Sequence, residues 1–187
     1  MRNAKNSRRP ADNWSNRGME LEGLLNGFHG LYKAMSRGWI VKQYLPMVII
    51  SHDYRGNLAK VTGRATVDYL GCVNGQFVAF DAKDCEGKRI ELSRLEPHQL
   101  QDMIDIVRNG GRAFVLVRFE RRRCYMIPAL AWAAAVRAYK TGKAETVDGW
   151  TPTGKASINE TDLPKEWAVN DADWLGGFRD GRNHDHG

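Results

Sequence analysis

Cysteine is scarce: the 187 residues hold three, Cys72, Cys85 and Cys124. An odd count without a CxxC spacing speaks against a disulfide framework or a zinc site, and reduced thiols of a cytosolic protein are expected. No apolar run approaches the about 20 residues that span a bilayer, so no membrane association is expected. The opening MRNAKNSRRPADNW lacks the apolar core of a signal peptide, so export is not expected and a cytoplasmic location is. Acids are outnumbered, 22 Asp and Glu against 28 Lys and Arg, leaving a net charge of +6. An anionic partner, nucleic acid first, fits that balance, the plainer alternative being a protein with surplus surface lysine. The distribution favours the former: Arg2, Lys5, Arg8, Arg9 and Arg17 face only Asp12 in sequence, and Arg121, Arg122 and Arg123 sit together later.

What is present reads as one domain. Residues 1–15 are polar and basic without hydrophobic periodicity, a flexible arm by composition. Leu21, Leu24, Leu25, Phe28, Leu31, Tyr32 and Met35 recur at helical spacing, with Ser15 or Asn16 as N-cap and Gly38 as the stop. WIVKQYLPMVIIS predicts one strand interrupted by proline. HDYRGNLAKVTGRA (52–65) reads as an exposed excursion. EPHQLQDMIDIVRNGG predicts a second helix, opened by Pro97 and closed by Gly110-Gly111. RAFVLVRFE and CYMIP predict two strands around a basic turn, ALAWAAAVRAYK a third helix, and KASINETDLPKEW a short strand leading to a capped turn. The order implies an α/β (α+β) mixed sheet flanked by helices, with a domain over 16–175, a stalk-like excursion over 51–65 and a disordered tail over 176–187. Trp39, Trp132 and most other aromatics are expected in the core.

The sharpest local signal is TVDYLGCV-NG-QFVAFDAK, two apolar runs joined by Asn74-Gly75, the dipeptide a type I′ turn prefers. A two-residue turn fixes the register: Val73 faces Gln76, Cys72 faces Phe77, Tyr69 faces Phe80. Extended outward, Asp68 meets Asp81 and Thr66 meets Lys83, which puts two carboxylates about 5 Å apart on one face. Like charges so placed either share a proton or recruit a cation. Mg²⁺ or Mn²⁺ suits such oxygen ligands, with the Ala82 carbonyl as a third protein oxygen. Lys83 would stand beside the ion, where an ammonium orients a hydroxide or offsets phosphoryl charge. The plainer reading is a Lys83 salt bridge to Asp81 or Asp84 at a solvated strand end.

VDY, hairpin and FDAK together resemble the PD-(D/E)XK nuclease motif, with Val67 in place of the usual proline. More narrowly, the chain resembles the RecU family of Holliday junction resolvases. NRGMELE opens the first helix, IVKQYLPMVII is the first strand, TVDYLG and NGQFVAFDAKD form the hairpin, LSRLEPHQ enters the second helix, and GKASI follows. The resemblance implies a restriction-endonuclease-like αβββαβ core in a homodimer that cuts four-way DNA junctions symmetrically with Mg²⁺ or Mn²⁺. It matches Asp68 and Asp81 to the metal-binding acids, Lys83 to the catalytic lysine, Thr66 to the threonine before the first acid and Gln99 to a helix glutamine. Glu22 matches an acid of the first helix that joins the metal site, and Arg17 an arginine that contacts DNA. Asp81 stands where many relatives have Glu, and the segment His52 to Ala65, matching a stalk that enters the junction, is shorter and more polar than theirs.

Arg64, Lys88 and Arg89 are close to these acids in sequence and, with Arg8, Arg9 and Arg17, are the expected DNA-phosphate contacts. Arg121 to Arg123 read equally as a phosphate grip or as ordinary surface. Two classes remain: a metal-dependent endonuclease on branched DNA, and a non-catalytic DNA-binding or recombination-modulating protein on the same fold. A related nuclease with another DNA target lies within the first class. The complete Asp68, Asp81 and Lys83 set disfavours the second.

Overall fold

The computed structural model describes residues 14–54, 56–64, 66–170 and 173–177. A long helix α1 (Trp14–Ala34) leads to strand β1 (Trp39–Lys42), a hairpin of β2 (Met47–Asp53) and β3 (Gly56–Val61), and a second hairpin of β4 (Tyr69–Val73) and β5 (Gln76–Cys85). Then follow β6 (Arg89–Glu91), α2 (Pro97–Arg108), β7 (Arg112–Phe119), β8 (Arg123–Pro128), α3 (Ala129–Thr141), β9 (Ser157–Asn159) and β10 (Ala168–Val169). Six strands make the central sheet in the order β1-β4-β5-β7-β8-β10. Only β5 and β7 run parallel among the described pairs. A parallel pair needs a long crossover, and the segment carrying α2 supplies it. Within this sheet the expected α-β-β-β-α-β order is α1, β1, β4, β5, α2, β7.

Alternation along the strands divides the core in two. Ala79, Val115, Val117 and Ile127 face α2 and α3, where Trp132 and Met103 are fully buried. Tyr69, Phe80, Phe114 and Leu116 face α1, joined by Trp174. The Asn74-Gly75 turn has φ of 50° and 78°, the left-handed pair a type I′ turn requires, and the ladder pairs Val73 with Gln76 and Tyr69 with Phe80 as the sequence predicts. Gly71 lets β1 come close: a Cβ there would lie 2.2 Å from the Trp39 carbonyl oxygen.

Several expectations change. The strand expected over 39–51 is two strands in different sheets, because Pro46 cannot donate to a ladder and its carbonyl instead accepts from Thr62 N–H at 2.9 Å. The excursion therefore begins at Met47 and carries exposed Met47, Val48, Ile49, Ile50 and Leu58, so it is more apolar than the 52–65 segment suggests. Helix α1 starts at Trp14, ahead of the expected caps, and ends at Ala34, with Ser36 at φ 54° supplying the left-handed residue expected of Gly38. Trp39 is 53% exposed, since it sits on the edge strand, whereas Trp132 is buried as expected. Residues 1–13 and 178–187, and with them Arg8 and Arg9, lie outside the described residues.

Candidate active site

The ladder between β4 and β5 stops at Tyr69↔Phe80, one residue short of the expected Asp68↔Asp81 pair. The reason is local competition for a donor. The Asp68 carboxylate accepts the Ala82 N–H at 3.0 Å, taking the group a continuing strand would have used. Val67 is meanwhile fully buried against the α2–α3 core. Thr66 accordingly does not face Lys83; it is exposed in a groove with Leu70, Phe77 and Ile106. Asp68 and Asp81 nevertheless remain near enough for each carboxylate to act on the other.

Asp81 is wholly buried on the α2 face of β5. Its Oδ1 accepts from Gln99 Nε2 at 3.1 Å. Lys83 Nζ lies 2.5 Å from Oδ2, so the buried carboxyl is paired with an ammonium on one oxygen and an amide on the other. Burial first, then the Asp68 charge, push the Asp81 carboxyl up to about 7, against the opposing pull of Lys83. Asp81 is thus an acid held close to its ionisation point.

Helix α2 fixes Gln99 for this task. Glu96 and Gln99 form a capping box at the start of the helix, with Pro97 as the first helical residue. In that box Gln99 Oε1 accepts the Glu96 N–H at 3.2 Å. The cap therefore fixes which end of the amide points where, leaving the NH₂ group for Asp81.

The other expected residues are distributed around this centre. Glu22 of α1 is paired with Lys42 of β1, on the side of the sheet opposite Asp81. Lys42 lies opposite Tyr69, whose hydroxyl is buried without a partner and whose ionisation is raised by burial and then by Glu22 and Asp68. Among the described residues no group of three or more His, Cys, Asp or Glu lies close enough to hold an ion. The oxygens that fit a hard cation are the two carboxylates and the Ala82 carbonyl, which points to the same strand edge as the N–H bound by Asp68. Arg64, Lys88 and Arg89 are exposed, Arg89 beside Glu91 at 3.1 Å. Arg17 lies within α1, its side chain outside the described ones.

Lys83 takes Asp81 and not Asp84 because consecutive strand residues face opposite ways. Asp84 looks to the α1 face, where Arg118 holds it through Nε–Oδ1 at 3.0 Å and Nη2–Oδ2 at 2.6 Å. Arg118 also donates to Glu20 of α1 at 3.2 Å. Sequence reasoning missed Arg118, although an arginine inside the apolar run FVLVRF signals a buried acid nearby. It also missed Arg94, which donates to the Asp84 carbonyl at 2.8 Å at the end of β5.

The sequence has relatives. Two Streptococcus pneumoniae proteins called Holliday junction resolvase RecU match the chain. That of strain Hungary19A-6 is 33% identical over 126 residues, covering 63% of this chain and 64% of the relative. That of strain Taiwan19F-14 is 34% identical over 125 residues, 63% of each. The chain thus spans less than two thirds of the length of these relatives. Among solved structures, Hjc of Archaeoglobus fulgidus, a Holliday junction resolvase, aligns over 87% of this chain and 94% of its own at 12% identity, with a TM-score of 0.43 that carries no weight either way. The family model for RecU, Recombination protein U, matches residues 16–151, a stretch that takes in α1, the β4–β5 hairpin with both acids and Lys83, and Gln99. With more than half its length so matched, the chain belongs to the RecU family.

Proposed function

We propose that this chain is a structure-selective endonuclease that resolves four-way DNA junctions by paired, metal-dependent phosphodiester hydrolysis, acting in the cytoplasm as a homodimer. The observation that carries the proposal is Asp81: a buried carboxyl that feels a second carboxylate, Asp68, and has the Lys83 ammonium 2.5 Å away. The names of the matched relatives support the substrate, and two symmetric nicks need two copies of the site.

Asp68, Asp81 and the Ala82 carbonyl would hold the Mg²⁺ or Mn²⁺ ion. Bound there, such an ion supplies a water of lowered pKa and neutralises charge on the phosphodiester. Lys83 favours the ionised Asp81 and offers its ammonium to phosphoryl oxygens at the rim. Gln99 pins Oδ1 and leaves Oδ2 to Lys83. The Ala82 N–H pins one oxygen of Asp68. Glu22 would join only by leaving Lys42, and Thr66 only by a shift of the 62–67 segment. Arg17, Arg64, Lys88, Arg89, Arg8 and Arg9 are proposed phosphate contacts, which position DNA without reading its sequence.

The absence of a third nearby acid among the described residues gives some standing to the second reading, a DNA-binding protein without cleavage. One experiment separates the two. A labelled four-way junction and a matching linear duplex are incubated with the protein in EDTA, Mg²⁺ or Mn²⁺. Paired nicks confined to the junction support the resolvase. Cuts in both substrates keep the nuclease and reject the junction preference. Binding with no cut under any metal favours the second reading.

A further inference from the structure

The two hairpin tips of the central sheet are built from opposite materials. The β4–β5 tip is Asn74-Gly75, the pair that adopts left-handed geometry most readily. The β7–β8 tip is Glu120, Arg121 and Arg122, lying between the paired Phe119 and Arg123. Glu120 has φ 49° and Arg121 φ 55°, and the turn is closed by Arg122 N–H to the Phe119 carbonyl at 3.0 Å. Two consecutive side-chain-bearing residues thus occupy the left-handed region, where glycine or asparagine is the stable choice. Arg122 is the odd residue of the loop, and an extra residue of this kind re-aims the side chains around it.

The location of this strained tip is informative. Strands β5 and β7 are parallel, with Lys83 beside Val117 and Cys85 beside Phe119. The Glu120 N–H donates to the Cys85 carbonyl at 2.9 Å, so the tip continues from the end of β5 that carries Lys83. At about 3.3 Å per strand residue Glu120 stands roughly 10 Å beyond Lys83, a distance of about two or three phosphates along a DNA strand. The Asn-Gly tip, by contrast, lies at the other end of β5. Arg121 lies 3.9 Å from the exposed Glu20, and Arg123 2.8 Å from the buried Glu160. Arg122 is exposed and has no ion-pair partner among the described residues.

We propose that the Glu120–Arg122 tip is a DNA-phosphate clamp flanking the active centre, with Arg122 and Arg121 gripping backbone phosphates beside the one to be cut. The clamp rests on the DNA-cleaving reading above. Its chemistry is that of a guanidinium pair on phosphate oxygens, sequence-independent and salt-sensitive. Strain at the tip is the cost of arginines where Asn-Gly would be more stable.

The test uses the full chain, a four-way junction and a duplex, with EDTA to prevent cleavage and binding measured across a salt series. Arg121→Gln with Arg122→Gln is expected to lower affinity severalfold and reduce the log–log salt slope by about two, at roughly 0.9 per lost contact. Arg122→Gln alone, at an exposed and unpartnered position where folding is not at risk, is expected to reduce it by about one. Glu120→Asn with Arg121→Gly, which leaves net charge unchanged and gives the tip its preferred residues, is expected to raise the melting temperature while weakening binding. A wild-type protein with a steep salt slope that neither arginine variant changes overturns the clamp and leaves the nuclease reading standing. A wild-type protein that binds no DNA at any salt overturns both. An Asn-Gly variant that gains no stability removes the strain argument, and the clamp as stated falls with it.

Discussion

Strand β5 carries an acid to each face of the sheet within four residues, and the two are treated differently. Asp84, toward α1, is gripped through both oxygens by Arg118, a guanidinium only 4% exposed. Asp81, toward α2, is buried more completely, yet beside its Lys83 partner it faces a second carboxylate, Asp68, that adds repulsion. Burial pushes the Asp81 carboxyl toward neutrality, whereas Asp84 sits in an ion pair made through both of its oxygens. The Asp84 pair fastens α1 to the sheet; the Asp81 pair, facing a second carboxylate, retains capacity for a further cation. The difference between a structural and a chemical acid here is the neighbouring charge, not burial.

The largest effect that tests this contrast is on cleavage. Asp81→Asn and Lys83→Ala are each expected to reduce metal-dependent junction cleavage by on the order of a thousandfold or more, with binding largely spared. Normal nicking by either variant would remove that residue from the chemistry. Asp84→Ala should act on stability instead. It leaves Arg118 buried with only Glu20 at its other edge, and breaking such a pair costs about 3–5 kcal/mol. Chemical denaturation measures that loss, and cleavage per folded molecule should stay close to wild type. If Asp84→Ala folds normally and fails to cut, the two acids share one role and the contrast is wrong.

How much of this was legible in the sequence follows from the range of each interaction. The β4–β5 register was legible because Asn74-Gly75 selects one turn and the turn fixes every later pair. Lys83 beside Asp81 followed from period-two alternation alone. Gln99 came only through family resemblance, since its link to Asp81 crosses from helix to strand. Arg94 and Lys42 were invisible for the same reason, and Arg118 showed only as a charge inside an apolar run with no partner named: their partners lie on other elements, and no spacing rule reaches across the fold. The misplacement of Thr66 has another cause. A rule that extends a ladder cannot foresee an Asp68 side chain capturing the backbone donor that would have continued it.

A smaller effect concerns pH. The folded chain holds the Asp81 proton up to about 7, whereas an unfolded carboxyl releases it near 3.8. Between those values the folded state binds the extra proton, so metal-free stability should fall as pH rises from about 4 to 7 and level off above. Melting curves across this range test it, and Asp81→Asn should remove that part of the slope. Added Mn²⁺ should recover stability increasingly as pH approaches 7, because the ligand must be ionised. A stability profile identical in wild type and Asp81→Asn would mean that burial does not hold the proton.

The smallest expected effect isolates the link between helix cap and acid. Gln99→Glu keeps a residue suited to the capping box, since glutamate accepts the Glu96 N–H as glutamine does. It replaces the NH₂ that donates to Asp81 Oδ1 by a second acceptor. The cap should therefore survive and the melting temperature stay near wild type, while Asp81 loses a donor and gains a repulsive neighbour. Both changes favour the protonated carboxyl, so the rising limb of the pH–cleavage profile should move to higher pH. Gln99→Ala removes donor and cap together, and should lower stability while moving the limb less. If Gln99→Glu leaves the limb where it was, Gln99 serves the helix alone, and the orientation of Asp81 must come from Lys83 and the strand.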